Sequence, residues 1–187
     1  MKNFKNDWKT IKINYAYKAQ APDEISLRVD EVRFPSGRVG RYVYAEYPFE
    51  VCFILPVDDD GRLLFIQQYR YPLDKELIEI PAGSPLPGET LEECACRETE
   101  EETGFRPREI RHVLTFYPSP GSSDMKAHLF IARGLESTKR TQNVDEYTNT
   151  LFLTQPEAEH LIMDGQIQHI GAVLGVLILK KFSIKEK

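Results

Sequence analysis

With 187 residues, 28% of them charged, and a net charge of -5, the chain is long enough for one well-buried domain with room for an N-terminal extension. The acidity argues against a nucleic-acid partner or an anionic membrane surface, and an anionic ligand would need metal ions to approach it. The longest apolar run, Gly171 to Leu179, is too short to span a bilayer, and Met1 to Lys9 carries no apolar segment of the signal-peptide kind.

The first 50 or so residues alternate apolar and polar side chains at period two, which predicts strands. Ile11–Tyr17, Ile25–Phe34 and Arg41–Tyr47 are the candidates, with a turn at Pro35–Arg38. So small a sheet has little core of its own, so residues 1–48 are expected to dock on the main domain, residues 49–187, or on a second subunit. Glu50–Val57 reads as a buried strand, Asp58–Arg62 as a hairpin turn rather than a metal site, and Leu63–Arg70 as the returning strand. Leu77–Gly83 leads into an acidic helix. Beyond that helix, strands are predicted at Arg108–Tyr117 and Ala127–Arg133, with the rigid loop Pro118–Ser123 between them. Glu136 to Glu146 reads as a polar, mobile connection, and Tyr147–Thr154 as a strand. A capping box at Thr154 opens a helix through Met163, and Ile170–Phe182 forms the last, buried helix. Cys52, Cys94 and Cys96 form no zinc pattern, and their odd number suits small core residues in a reducing cytoplasm.

The acidic helix carries most of the chemistry. Thr90 with Glu93 makes a capping box, and Gly104 stands where a left-handed cap ends the helix. At 100° per residue, Leu91, Cys94 and Ala95 form the apolar side, and Glu93 and Glu100 face water. Glu98 and Glu102 return to the apolar stripe, with Glu101 at its edge. Carboxylates aimed at a core are costly unless a cation or hydrogen bonds compensate them. Clustered carboxylates beside backbone oxygen suit a hard divalent cation, Mg²⁺ or Mn²⁺, better than zinc. Arg70 closes its strand with a planar cation suited to phosphate oxygens.

Gly83, Glu89, Arg97, Glu98, Glu101, Glu102 and Gly104 match every fixed position of the Nudix box, and Phe105 fills its last apolar position. Thr99 departs from the pattern, which has an aliphatic residue there. The chain thus resembles the Nudix hydrolase superfamily. Gln68-Tyr69-Arg70, Glu79-Ile80-Pro81-Ala82-Gly83 and Pro118–Gly121, with Pro120 sixteen residues after Gly104, make it similar to the branch of ADP-ribose pyrophosphatases and nucleoside-diphosphate-sugar hydrolases.

The resemblance implies an α+β fold, an α/β/α sandwich around a mixed sheet, in a homodimer whose N-terminal antiparallel strands cross the subunit interface. The implied reaction is hydrolysis of the pyrophosphate of ADP-ribose or a related nucleoside diphosphate sugar, with GDP-mannose-type and other NDP-X substrates as alternatives. Glu98, Glu102 and Glu101, with the Ala82 carbonyl, would hold Mg²⁺. Arg97 would orient a carboxylate of the motif, Arg70 would clamp a phosphate, and Glu79 would fix Arg70 or the substrate. Pro120 and Arg41 join them as substrate-contacting residues, and the base is expected against aromatic and basic residues such as Tyr17, Arg28, Arg41 or Tyr47. Glu146, beside Asp145, occupies the position of a catalytic base in related enzymes. Met125 stands where many relatives carry an acidic residue. A non-catalytic nucleotide-binding regulator and a structural protein are the competing classes.

Overall fold

The computed structural model describes residues 7–21, 24–138 and 149–183, the side chains of 180–183 excepted. The described residues form two compact units, one drawn from residues 1–50 with 117–126 and the other from residues 51–116 with 127–187.

The first unit is an antiparallel sheet built on β3 (Ser26–Arg33). One edge of β3 is taken along its whole length by β4 (Val39–Glu46). The other edge is shared by β1 (Lys9–Lys12) and β2 (Tyr15–Tyr17). The period-two pattern predicts one strand over Ile11–Tyr17, and two short ones are found. The register slips between Thr10 and Lys12 and again between Tyr15 and Tyr17. Between them Asn14 accepts the Val29 N–H at 2.9 Å, and its side-chain amide donates to the Val29 carbonyl. An Asn that uses both backbone and side chain on one partner interrupts the regular ladder. The loop 117–126 hangs on β4: Ala45 N–H donates to the Ser122 carbonyl, and the Tyr42 hydroxyl to that of Gly121, each at 2.9 Å.

The second unit holds a mixed sheet in the order β8 (Ala82–Gly83), β5 (Val51–Pro56), β10 (Ala127–Ser137), β9 (Phe105–Phe116), in which β5 and β10 run parallel. A second, antiparallel sheet has the order β11 (Asn149–Leu153), β6 (Leu63–Arg70), β7 (Lys75–Glu79). The expected hairpin between the first two strands of this unit is therefore a change of sheet. Both edges of β5 are occupied, by β8 and β10, so the start of β6 bridges only to Val57, just past the end of β5, and β6 forms its ladders elsewhere. The Asp58–Arg62 turn forms as expected. Asp58 Oδ1 accepts the N–H groups of Asp60 and Arg62, and Gly61 takes φ +80°. The connection expected from Glu136 onward begins later, because β10 runs on to Ser137 and pairs with Phe105 at the start of β9.

Helix α1 (Leu91–Thr103) packs on β9, β5 and β8, and α3 (Ile170–Ser183) on β5, β10 and β7, with α2 (Gln155–Met163) against α3. Alternation along the strands decides which helix each residue meets. Cys52, Ile54, Phe130 and Ala132 pack with Cys94 and Ala95 of α1. Phe53, Leu55, Leu129 and Ile131 pack with Ala172, Val176 and Leu179 of α3. This is why β5 reads as an unbroken apolar run, and each large apolar side chain so buried stabilises by roughly 1.5–3 kcal/mol. Close approach of α3 depends on its glycines, since a Cβ at Gly171 would lie 2.7 Å from Phe53 Cδ1. The result is the expected α+β architecture, helices on both faces of a mixed sheet. Among the described residues no helix is long and apolar enough to cross a membrane.

Candidate active site

Both ends of α1 are fixed by local chemistry legible in the chain. Thr90 Oγ1 accepts the Glu93 N–H while the Glu93 carboxylate accepts the Thr90 N–H, and Gly104 caps the other end at φ +76°. These stops set the rotation of the helix, and so which glutamates meet the sheet. Glu98 and Glu102 are partly buried, Glu101 stays exposed, and Thr99 is fully buried. Thr99 disposes of its hydroxyl within the helix, donating to the Ala95 carbonyl at 2.7 Å, so a polar residue fits the aliphatic position. Glu100, expected to face water, is only partly exposed and pairs with Arg106 at 3.1 Å.

Arg97 is the hub. Its Nε and Nη2 donate to the two oxygens of Glu89, each at 2.9 Å, in a bidentate pair. Nη1 donates to Glu98 Oε1 at 2.6 Å and to Glu101 Oε2 at 3.1 Å, and Nη2 also reaches the Ser84 carbonyl at 3.0 Å. The Arg97 hydrogen bonds hold the Glu89 carboxyl below the usual carboxylate range, and those same carboxylates, Glu89 foremost, push the guanidinium up. Glu98 lies so close to the β8 backbone that a Cβ at Gly83 would fall 2.0 Å from its Oε1, so any larger residue there displaces the carboxylate. Glu102 accepts the Ala82 N–H at 3.0 Å.

The donors here are carboxylate oxygens, which suit a hard divalent cation. Three carboxylates surround one guanidinium, and Glu102 follows a helical turn beyond Glu98, so negative charge is in surplus and a divalent cation would offset it. Among the described residues no three His, Cys, Asp or Glu side chains converge in a metal-holding set. The reason is visible in the hydrogen bonds: Arg97 draws Glu98 and Glu101 toward itself, and the Ala82 N–H draws Glu102 toward β8.

A second arginine lies on β6. Arg70 Nε and Nη2 donate to the two oxygens of Glu79, at 2.8 and 2.6 Å. The Glu79 side chain is 1% exposed, whereas that of Arg70 is 40% exposed, so the pair anchors a guanidinium that still reaches solvent. His169, just ahead of α3, lies with Nε2 3.6 Å from Glu79 Oε2 and its ring against Phe53. Burial pushes its pKa down, with Arg70 acting in the same direction and Glu79 against it.

The structure thus brings together Arg97, Glu98 and Glu101, joins Arg70 to Glu79, and sets Glu102 on Ala82. Arg41, on β4 across from Glu31 of β3, and Pro120, in the turn where Ser122 N–H meets the Ser119 carbonyl, belong to the other compact unit. Tyr17, Arg28 and Tyr47 lie there too, and Arg28 is engaged by Asp30 and by Glu46. Glu146 and Asp145 lie outside the described residues. Sequence reasoning missed two partners. Glu89 grips Arg97 from eight positions upstream, a spacing already fixed in the motif. His169 has no sequence signal, because only folding brings it to Glu79.

Residues 47–167 match the family model described as the NUDIX domain. The chain belongs to the Nudix family. It is 31% identical over 174 residues to a protein named methanol dehydrogenase activator from Bacillus methanolicus, covering 92% of each chain. It is 34% identical over 145 residues to an ADP-ribose pyrophosphatase from Bacillus subtilis, covering 76% of this chain and 78% of that one. A solved structure described as an ADP compounds hydrolase superposes with a TM-score of 0.85 at 17% identity, covering 96% of this chain and 95% of the other, and establishes the shared fold. The chain is accordingly a Nudix pyrophosphohydrolase, and Nudix hydrolases generally use divalent metals.

Proposed function

We propose that this Nudix protein hydrolyses the pyrophosphate bond of ADP-ribose or a closely related nucleoside diphosphate sugar, releasing a nucleoside monophosphate and a sugar phosphate. The observation that carries the reading is the surplus of carboxylate charge around Arg97, beside a glycine that lets Glu98 press against the backbone. The similarity to an ADP-ribose pyrophosphatase along three quarters of the chain supports the substrate class.

In this reading Glu98, Glu101 and Glu102, with the Ala82 carbonyl, hold Mg²⁺, for which Mn²⁺ can substitute. Bound there, the metal neutralises diphosphate charge and lowers the pKa of a bound water. Arg97 acts as a positioning residue, keeping Glu98 and Glu101 oriented while Glu89 keeps Arg97 in place. Arg70, steadied by Glu79, binds a phosphate oxygen with the part of its guanidinium that faces solvent. Glu146 takes the proton of the attacking water, and Pro120 and Arg41 contact the substrate. Residues 1–48 form a homodimer interface ahead of a catalytic domain of residues 49–187. The free thiols of Cys52, Cys94 and Cys96 suit a cytoplasmic setting.

A Mg²⁺-supplemented panel of ADP-ribose, GDP-mannose, UDP-sugars and NADH tests the assignment. AMP release from ADP-ribose at the highest kcat/KM is expected. Preference for GDP-mannose would move the substrate within the class, and failure on every member would overturn the proposal. Glu146→Gln should slow turnover with substrate binding intact, and near wild-type turnover would remove Glu146 as the base.

A further inference from the structure

A cluster of imidazoles on β9 and β10 has no part in the chemistry above. Thr115 stands opposite His128 in the antiparallel register, and Leu114 opposite Leu129. Unbroken pairing would then set Val113 opposite Phe130 and turn His112 to the other face of the sheet. The register instead shifts between Leu129 and Phe130, and His112 falls opposite Phe130. One extra residue in β9 therefore carries His112 onto the face of His128 and Thr115. Bulges that re-aim a side chain in this way recur beside functional sites.

The three polar atoms so assembled form a small triangle. His112 Nε2 lies 3.4 Å from His128 Nδ1, and Thr115 Oγ1 lies 3.3 Å from the first and 3.0 Å from the second. Two nitrogens bound to one tetrahedral ion at ~2.0–2.1 Å are separated by about 3.3–3.4 Å, the edge of the tetrahedron. The imidazole spacing matches that edge, and the hydroxyl stands near a third corner. His128 is buried, at 4% exposure, whereas His112 and Thr115 are exposed, so the cluster is open to solvent. Phe130 packs edge-on against the His112 ring, with centroids 5.2 Å apart, which limits its freedom to turn away.

We propose that His112, His128 and Thr115 form a binding site for a borderline-soft divalent cation of the zinc class, distinct from the carboxylate cluster of α1. Two imidazole nitrogens favour Zn²⁺, Co²⁺ or Ni²⁺ over Mg²⁺, which prefers an all-oxygen shell. No third His, Cys, Asp or Glu of the described residues completes the set, so the Thr115 hydroxyl supplies the third donor and water the fourth. Such a site exchanges its ion readily. It ties β9 to β10 beside Cys52, the partner of His128 across the parallel pair.

The test titrates the full chain with Co²⁺ and then Zn²⁺ in excess Mg²⁺, which occupies the oxygen sites. One Co²⁺ per chain with the visible absorption of tetrahedral coordination, displaced by Zn²⁺, is expected. His112→Ala, at an exposed position, should keep the wild-type Tm and weaken binding by at least about tenfold, an effect at the scale of a lost metal-supporting group. Thr115→Val should weaken it less, while Glu98→Gln and Glu102→Gln leave it unchanged. Three outcomes overturn the site: no Co²⁺ binding beyond that blocked by Mg²⁺, an octahedral spectrum, or binding by His112→Ala that equals wild type. The measurement does not depend on hydrolysis, so its failure would leave the proposed reaction standing.

Discussion

Arg97 and Arg70 each grip a glutamate through two nitrogens, yet their surroundings differ in charge. Arg97 serves Glu89, Glu98 and Glu101 together, two of them only 14% exposed, and one guanidinium cannot neutralise three carboxylates. Arg70 holds the buried Glu79 in a one-to-one pair through two nitrogens, with His169 close by and its pKa pushed down by burial. The first arrangement gains when another cation arrives; the second matches one guanidinium to one buried carboxylate and holds it in one pose. A surplus of like charge thus marks where a metal is wanted, and a matched pair marks where a group is being aimed.

That contrast is open to breakage at several levels. The largest expected effect is on turnover: Glu102→Gln should lower kcat by about 10²–10³-fold, the scale of losing one electrostatic stabiliser, with Tm unchanged or raised. Nucleoside monophosphate release and thermal melting of one preparation check both halves. Gly83→Ala comes next. Its Cβ cannot share space with Glu98 Oε1, so the carboxylate must move, and about a 10²-fold loss of kcat/KM is expected.

Stability separates the two arginines more sharply. Arg70→Met leaves Glu79 buried without its partner, and Arg97→Met leaves three carboxylates facing one another; each should lose about 2–3 kcal/mol in urea denaturation. Saturating Mg²⁺ should recover part of the loss in Arg97→Met and none in Arg70→Met. Equal recovery in both would dissolve the distinction.

The smallest effects are on pH. Glu89 has a folded pKa below its usual 4.5, through its hydrogen bonds with Arg97, so the unfolded chain binds more protons and stability falls as pH drops through that range. Glu89→Gln should flatten the acid limb of the stability curve. His169, whose pKa burial lowers from 6.5, also takes its proton more readily when unfolded, so it costs stability as pH falls below 6.5. His169→Gln should remove that slope, as read by Tm between neutral and mildly acidic pH.

Much of this was legible in the residues themselves. Helix α1 was readable to its caps because Thr90, Glu93 and Gly104 act on their own neighbourhood, and the rotation of Glu98 and Glu102 toward the sheet follows from helical geometry. The same holds for the capping box of α2 and for the turn at Gly61. Local pattern is silent where a strand must choose an edge. Nothing in Leu63–Arg70 tells that β5 has no edge left to offer, and nothing in Ile11–Tyr17 tells that Asn14 will spend both its groups on Val29.

The sequence by itself determined the acidic helix, its box and the family, because those rest on short-range spacing: a cap three residues away, a carboxylate one turn on. Only the tertiary structure decided what each charge meets. It joined Arg97 to Glu89, Arg70 to Glu79 and Glu79 to His169, and it turned His112 onto the face of His128. Such contacts depend on strand order and register, which long-range packing sets and local periodicity does not.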